Sequence, residues 1–364
     1  MGFRNTWSRV GSIPFTENGV QTLDLQRGFL IRSVGMRLQG TVTVAGAAAT
    51  AANPEAPFTL VRRIEVIGDG RDTLFNMSGE QLRSWLAMYY GGVPAFSPPN
   101  LAGVVGAVGV NTFAAYMPIP FESPLTRVPI DTLLDSRRYE NLQLRITWGQ
   151  VTSGANVNSD LLEAAAATTQ APGTITIDVA QFQTSEPSGQ LFSQMRRYAI
   201  EKDITAANTD FDTDINTGQT IRSLLVRSTF GTRLGTGVPI TPSNAIVQDL
   251  SVIADNAHFP ANRVVGNIIR DQNASDYRVI DPNFTTVAGA VSGFAGVKIP
   301  DGLYLLDFVE DGMLSTAINS ADIASLKLRA NVALSGSGGD RLSTIVTEII
   351  PAPVAEVVTA SMGR

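Results

Sequence analysis

The sequence contains no cysteine and only one histidine, His258, in 364 residues. Disulfide frameworks, thiol nucleophiles, cysteine-rich zinc sites and iron–sulfur clusters are therefore excluded. A catalytic triad of serine, histidine and aspartate would have to use His258, with Asp255 nearby in the sequence as its orienting carboxylate. We interpret His258 as a loop histidine beside a turn and predict no catalytic residue.

Charge is also scarce, since charged residues make up 16% of the chain against about 25% in typical soluble domains. The formal net charge is −6, and only three residues are lysine, Lys202, Lys298 and Lys327. Binding of nucleic acid through its phosphates requires a basic surface, so sequence-specific nucleic-acid binding is disfavoured. None of the lysines completes a G-x-x-x-x-G-K phosphate loop, which excludes a packaging ATPase, and no cofactor is expected.

Long hydrophobic runs are missing. The longest uncharged segment, Ser84 to Phe121, is interrupted by prolines and glycines, and its apolar part from Leu101 to Met117 is too short and glycine-rich for a membrane helix. We predict a long surface loop there. The first twenty residues lack the apolar segment of a cleaved signal peptide.

Alternation of apolar and polar residues is the dominant pattern in the sequence. Such a period of two predicts strands with one buried and one solvated face, which makes the chain an all-β, mainly antiparallel protein. The clearest segments are Val34–Val44, Leu142–Trp148, Ile175–Val179 and Leu326–Leu334; weaker ones are Phe58–Ile67, Ile221–Phe230, Ala245–Ala254, Leu303–Val309 and Leu342–Ile350. The Ala/Thr/Gly-rich stretches Ala45–Ala52 and Ala164–Gly173 are predicted to be loops.

One helix is predicted with clear boundaries. Ser78 and Gln81 form a capping-box pattern, and Gly91 and Gly92 would end the helix. Its apolar positions follow helical spacing, which favours packing of the helix on a sheet: Leu82, Trp85, Leu86 and Tyr89. Lesser helices are predicted at Asp160–Ala167 and Asn262–Arg270.

The two halves of the chain resemble each other. Three segments of the first half match three of the second in the same order, at offsets of 190, 186 and 184 residues: Ile31–Arg37 with Ile221–Arg227, Ile64–Asp69 with Leu250–Asp255, and Asn141–Arg145 with Ser325–Arg329. Ordered matches at a nearly constant offset indicate an internal duplication. We predict an N-terminal arm at 1–20, a first β domain at 21–185, a second at 198–351 and a tail at 352–364.

Several segments resemble double jelly-roll major capsid proteins of tailless icosahedral viruses, including phages with an internal membrane of the tectivirus and corticovirus type. They are Pro118–Phe121, Pro129–Leu134 and Tyr139–Gly149 in the first half, and Ile240–Pro242, Gly302–Phe308 and Leu326–Arg329 in the second. The resemblance implies two tandem eight-stranded jelly-roll sandwiches with short helices in the loops. It also implies a homotrimer that forms a pseudo-hexameric capsomer of an icosahedral virion shell, assembled in the host cytoplasm.

The same resemblance implies partners: neighbouring capsomers, minor capsid or vertex proteins, and an internal lipid membrane. A candidate inner-face or membrane contact is the N-terminal group Phe3, Arg4, Trp7 and Arg9. Arginine can meet lipid phosphates while aromatic rings enter the interfacial layer. Residues 1–10 show no strand or helix period, and a frayed terminus or an arm that clamps a neighbouring subunit are open alternatives.

The acidic residues offer a second class of function. Asp210, Asp212 and Asp214 resemble the start of a calcium loop, but Ile215 and Ile221 stand where glycine and glutamate are required, so we favour a solvated acidic turn over a weak cation site. Acid pairs such as Glu310 with Asp311, or Glu122 with Asp131, could serve a glycosidase. A secreted glycan-binding protein or glycan-processing hydrolase on a double β-sandwich is therefore the alternative function.

Overall fold

The structure is a computed structural model that describes residues 5–46, 53–90, 96–97, 108–127, 132–155, 157–163, 168–184, 193–255, 257–258, 263–277, 299–309 and 312–351. The strands before residue 185, here called the first unit, are β1 (Asn5–Pro14), β2 (Val20–Asp24), β3 (Leu30–Gly46), β4 (Val61–Gly68), β5 (Asp72–Met77), β6 (Phe96–Ser97), β7 (Gly109–Pro120), β8 (Leu134–Asp135), β9 (Leu142–Trp148) and β10 (Thr168–Thr184). Helix α1 (Gly79–Tyr90) lies between β5 and β6.

The second unit follows from residue 193. Its strands are β11 (Ser193–Asp203), β12 (Asn208–Ile215), β13 (Thr220–Phe230), β14 (Thr241–Pro242), β15 (Val247–Ala254), β16 (Ala257–His258), β17 (Val264–Val265), β18 (Leu303–Asp307), β19 (Ile318–Asn319), β20 (Leu326–Val332) and β21 (Arg341–Pro351). Helix α2 (Gly266–Tyr277) lies between β17 and β18. None of the described helices is long and apolar enough to cross a membrane.

The two units share one strand order. In the first unit β1, β10, β3 and β7 lie side by side in one sheet, and β2, β9, β4 and β5 form the opposite one. In the second unit the corresponding orders are β11, β21, β13 and β18, and β12, β20, β15 and β16. This is the two-sheet arrangement of a jelly roll, present twice, so the predicted all-β fold with two jelly-roll sandwiches is confirmed.

The duplication extends to a local irregularity. The pairing of β3 with β10 skips Arg32, and the pairing of β13 with β21 skips Arg222, so each arginine is the extra residue of a β-bulge. The two residues lie 190 positions apart, inside the first repeated segment of the sequence. A shared bulge at corresponding positions gives the sequence repeat a structural counterpart.

One sheet runs through both units. Strand β5 of the first unit pairs in parallel with β11 of the second, with Phe75 opposite Arg197 and Asn76 opposite Tyr198. The resulting ten-stranded sheet joins the β2–β9–β4–β5 sheet of the first unit to the β11–β21–β13–β18 sheet of the second. The larger hydrophobic core accordingly extends from the first unit onto Leu225, Leu305 and Ile345 of the second.

Alternation predicted strands reliably where one face is buried. Strands β9 and β20 show strict alternation of buried and partly exposed residues over seven positions each. The other predicted strands overlap β3, β4, β10, β13, β15, β18 and β21, although Phe58–Leu60, predicted as the start of a strand, forms a short 3₁₀ helix. The predicted helix start is confirmed: the backbone N–H of Ser78 donates to Oε1 of Gln81 at 2.8 Å, and the Gln81 N–H donates to Oγ of Ser78 at 3.2 Å.

Some loop and helix predictions were wrong. Residues 109–117 belong to β7, where Phe113, Met117 and Ile119 enter the core, and residues 168–173 belong to β10. Residues 160–163 are not helical, and the second helix begins at Gly266 rather than Asn262. Tertiary pairing overrides local glycine and proline signals at these positions. Residues 47–52, 101–107 and 164–167 lie outside the described part of the chain.

The N-terminal segment also differs from its prediction. Asn5–Pro14 forms β1, which pairs antiparallel with β10 along nearly its whole length. The prediction of no strand in residues 1–10 is thus wrong from Asn5 onward. Its inward-facing residues include Thr6 and Ser8, so the usual contrast between apolar and polar positions is absent from the sequence.

Candidate functional site

Buried hydrogen bonds and ion pairs join the two units along one surface. It is built on α1, which belongs to the first unit but has every residue from Gly79 to Tyr89 buried. The helix begins very close to the chain at Phe58, because a Cβ on Gly79 would lie 2.2 Å from the Phe58 carbonyl oxygen. The sequence pattern predicts that one face of α1 is buried. In the structure the second unit covers the opposite face as well.

Three side chains of α1, spaced four residues apart, reach the second unit. The Trp85 indole N–H donates to Thr347 Oγ1 at 3.3 Å, and the Tyr89 hydroxyl donates to Ser223 Oγ at 2.6 Å. One turn earlier, Gln81 Nε2 donates to Ser343 Oγ at 3.5 Å. Thr347 and Ser343 lie on β21 and Ser223 on β13, so α1 lies across the outer face of the second unit's sheet.

Buried ion pairs connect the units beside this helix. Glu55, 2% exposed, lies between Arg83 of α1, at 3.0 Å, and Arg227 of β13, to which it also bonds. A buried carboxylate is tolerated only when it is paired and hydrogen-bonded. Arg83 satisfies one Glu55 oxygen from within the first unit, and Arg227 satisfies the other only while the two units remain in contact.

A second ionic group lies at the start of α1. Arg233 of the second unit contacts Glu80 at 2.8 Å and Asp160 at 3.4 Å, and Asp160 also accepts from Arg62 at 3.0 Å. Burial would raise the pKa of the Glu80 carboxyl, but the guanidinium groups of Arg233 and Arg227 lower it, and its pKa falls below the usual value. The carboxylate is therefore charged at neutral pH and holds Arg233 in place.

Arg197 is the exception among these buried charges. It is 1% exposed, and no described residue accepts a hydrogen bond from its three guanidinium nitrogens. Its guanidinium instead stacks 4.3 Å from the Trp85 ring and 5.4 Å from the Phe75 ring. Burial lowers the pKa of Arg197 to about 9. Among the described residues, the side chains that contact this cation are aromatic rings of the first unit.

The acidic candidates form a strand edge rather than a turn. Asp210, Asp212 and Asp214 lie on β12, and the prediction of an acidic turn is wrong because Asp212 and Asp214 stand directly opposite Arg329 and Lys327 of β20. Asp212 pairs with Arg329 at 2.6 Å, and Asp210 bonds to Arg263. No cluster among the described residues could hold a metal ion.

Replacing Asp212 with asparagine should remove a small part of the stability at neutral pH. The hydrogen bond from Arg329 lowers the pKa of Asp212, so its contribution is present above the unfolded pKa of about 3.9 and is lost as pH falls through the folded value. We expect a loss below about 1 kcal/mol at pH 7, since the pair is partly exposed. Urea unfolding between pH 2 and 7 measures it. An Arg329→Gln chain should show the same weaker pH dependence; an unchanged acid profile in both would contradict the pairing.

Of the catalytic candidates, the structure describes the side chains of Asp255 and Glu122. Asp255 accepts a hydrogen bond from the Ser325 backbone N–H at 2.9 Å, and His258 lies on β16, its side chain outside the described atoms. Glu122 pairs with Arg32 at 2.7 Å. Asp131, Glu310 and Asp311 lie outside the described residues, so those acid pairs stay predictions.

The N-terminal candidates are split. Phe3 and Arg4 lie outside the described residues. Trp7 and Arg9 are exposed on the outer face of β1, where Trp7 is 77% exposed and meets the Phe182 ring edge-on at 4.3 Å. A lipid contact by this group stays a prediction.

Sequence reasoning did not identify the joining residues. Glu55, Arg197 and Arg227 are single charged residues without a motif. The available signal was the position of two arginines in the sequence. Arginine carries nearly all positive charge in this chain, and Arg222 and Arg227 lie inside a repeated segment of apolar residues that forms a buried strand. Charges within a buried strand indicate a partner surface.

Comparison with known proteins gives a consistent result. No protein-family model and no curated protein matches the sequence. Among solved structures, the chain is similar to the MCP of STIV, the Sulfolobus turreted icosahedral virus, with a TM-score of 0.67 at 14% identity, covering 98% of this chain and 99% of that one. The major capsid protein of bacteriophage PM2 gives 0.54 at 12%, covering 97% and 99%, and the PBCV-1 virus capsid gives 0.57 at 12%, covering 96% and 94%. These similarities, over nearly the whole chain, show a common double jelly-roll fold.

Proposed function

We propose that this chain is a structural major capsid protein whose trimers tile the shell of an icosahedral virion. The observation that carries the proposal is the fixed junction between two jelly rolls of the same strand order. A trimer of such chains presents six similar sandwiches around one axis, which suits a position surrounded by six neighbours. The similar solved structures, which are viral capsid proteins, support the same role.

The rigidity of the junction matters for this role. If the two units moved independently, six sandwiches could not form one ring with reproducible edges. The shared sheet through β5 and β11, the buried α1 and the ion pairs of Glu55 and Glu80 oppose such motion. A large apolar interface within a chain has the same effect. We therefore assign α1 and its ion pairs the task of setting the angle between the units.

The proposal includes a non-catalytic role and location in the virion shell. It divides the chain as the sequence suggests, into units at 21–185 and 198–351. It adds β1 to the first unit because β1 pairs with β10, and residues 193–197 to the second because they begin β11 and pair with β21. Neighbouring capsomers are the main partners. Minor capsid or vertex proteins and an internal membrane are further proposed partners. The alternative of a glycan hydrolase gains no support from the candidate acids that the structure describes, because Glu122 and the three aspartates of β12 are each paired with arginine or lysine.

The purified chain is expected to form a trimer of about three times 38.7 kDa. Size-exclusion chromatography with light scattering measures this mass, and electron microscopy should then show particles with a pseudo-hexagonal outline. A chain that stays monomeric at micromolar concentration, or one that hydrolyses oligosaccharides in a way that His258→Ala abolishes, would overturn the proposal.

A further inference from the structure

The strand registers identify equivalent residues in the two units. In the first unit Ser33, Phe182 and Trp7 stand side by side across β3, β10 and β1. In the second unit Ser223, Thr347 and Arg197 stand side by side across β13, β21 and β11. Ser33 and Ser223 each follow the bulge arginine, so the two rows correspond, and Trp7 occupies in the first unit the place of Arg197 in the second.

Equivalent places have opposite exposure. Arg197 is 1% exposed because α1 covers its row, whereas Trp7 is 77% exposed. The same outer face carries Tyr116, 38% exposed, and Gly35, where a Cβ would lie 2.8 Å from both the Phe182 ring and the Tyr116 hydroxyl. Gly35 thus lets the two rings lie across the strand, and an aromatic surface extends from Trp7 to Tyr116.

The two helices are equivalent in the same way. Helices α1 and α2 each have twelve residues and begin with glycine, 187 positions apart. The α1 residues that reach the second unit are Gln81, Trp85 and Tyr89; the corresponding α2 residues are Ile268, Gln272 and Asp276. All three are exposed, Ile268 by 59%, while the opposite face of α2 packs on its own unit through Ile269 and Asn273.

We propose that the exposed face of α2 docks on the aromatic surface around Trp7 and Phe182 of a second copy of this chain. The contact repeats between chains what α1 does within one chain. It uses different surfaces on the two copies, so it is head-to-tail and closes into a ring when the rotation permits. The inference rests on the proposed function, since the trimer supplies the second copy, and it names the surfaces that hold the trimer together.

The chemistry of the two surfaces is complementary. Trp7 and Phe182 offer the aromatic anchor that commonly dominates an interface, and Ile268 and Gln272 face them. Asp276 takes the place of Tyr89, whose ring lies 5.0 Å from the Arg222 guanidinium. In the docked pair Asp276 therefore approaches Arg32, whose side chain is 35% exposed beside Glu122.

Crosslinking tests the contact directly, because the natural chain has no cysteine. Trp85 bonds to Thr347 within the chain, so the equivalent pair between chains is Gln272 and Phe182. A helix packed on a neighbouring element lies about 8–10 Å away, so a short bismaleimide is used rather than a disulfide. Co-assembled Phe182→Cys and Gln272→Cys chains should give a crosslinked dimer, and either variant assembled alone should give none.

A charge substitution provides the second measurement. Ile268→Asp should weaken trimer association by about tenfold per contact. Leu334→Asp, at a position 47% exposed in the loop after β20, should not. A trimer that neither crosslinks nor responds to Ile268→Asp would overturn this contact and leave the proposed function standing, whereas a monomeric natural chain would overturn both.

Trp7→Ala should reduce the fraction of chains in trimers, measured as a lower average mass in light scattering. A Trp7→Ala variant that keeps the average mass of the natural chain but no longer floats with anionic vesicles would overturn the contact in favour of a lipid surface.

Discussion

A Glu55→Ala chain is expected to lose about 3–5 kcal/mol of its free energy of unfolding, which for a chain of this length lowers Tm by about 4–7 °C. Glu55 is buried between Arg83 and Arg227, which are themselves almost fully buried. Removing the carboxylate takes from Arg83 and Arg227 the acid to which both are hydrogen-bonded, and no described residue accepts from Arg227 Nε in compensation. Differential scanning calorimetry at pH 7 measures the loss.

Two control variants separate the cause of that loss. Asp203→Ala breaks an ion pair with Arg341, at 2.8 Å, on the exposed surface and should change stability by less than about 1 kcal/mol. Replacing Glu55, Arg83 and Arg227 together by methionine should recover most of the stability, because none of these three buried charges is then left without its partner. A Glu55→Ala chain as stable as the Asp203→Ala chain would show that Glu55 is not the bridge between the units.

The sequence predicts the fold best where a sheet has one buried and one solvated face. The alternation of β3, β9 and β20 is visible because their inward residues are apolar and their outward ones polar. Strand β7 was missed although its inward residues alternate, because the glycines and prolines of the Ser84–Phe121 segment suggested a loop. Pro118 and Pro120 stand opposite Gly35 and Ser33 of β3. On the other side of β7 the described β6 pairs only with Ala114 and Ala115, so among the described residues the prolines lie along a free edge, where proline is tolerated.

Strands β1 and β12 were missed for a different reason. Their residues are mostly exposed or partly exposed, so hydrophobic periodicity carries no information about them. Strand β12 is specified by cross-strand charge, Asp212 opposite Arg329 and Asp214 opposite Lys327, and that complement lies more than a hundred residues away in the sequence. Pairing at such separation cannot be recognised from a local pattern.

The internal duplication is the one feature of the candidate site that could be predicted from the sequence. The repeated segment at Ile31 and Ile221 marks the two bulges, and hence the two equivalent rows across the sheets. It does not disclose that one row is buried by α1 and the other exposed. Burial of Arg197 depends on the parallel pairing of β5 with β11. Each of these two strands would also fit an isolated jelly roll, so neither one by itself predicts the pairing. Only the assembled structure distinguishes the covered surface from the free one.

Trp85→Ala is expected to lower the free energy of unfolding by about 3–5 kcal/mol and to divide thermal unfolding into two steps. Trp85 is fully buried, donates to Thr347 and supports the guanidinium of Arg197. Its removal leaves a cavity between the units and a buried cation that loses its nearest aromatic partner. The junction is therefore weakened more than either sandwich, and calorimetry should resolve a separate transition for each unit.

Trp148→Ala is the matched control, because Trp148 is equally buried but lies in the core of the first unit on β9. Its loss should cost a similar free energy without disturbing α1, so the first unit is destabilised while the junction contacts remain. In the trimer, Trp85→Ala should also reduce the yield of closed rings, since the angle between the units is no longer fixed. If Trp85→Ala unfolds in one step and still forms rings at the natural yield, Trp85 does not set the angle between the two units, and the pairing of β5 with β11 and the remaining contacts hold the junction without it.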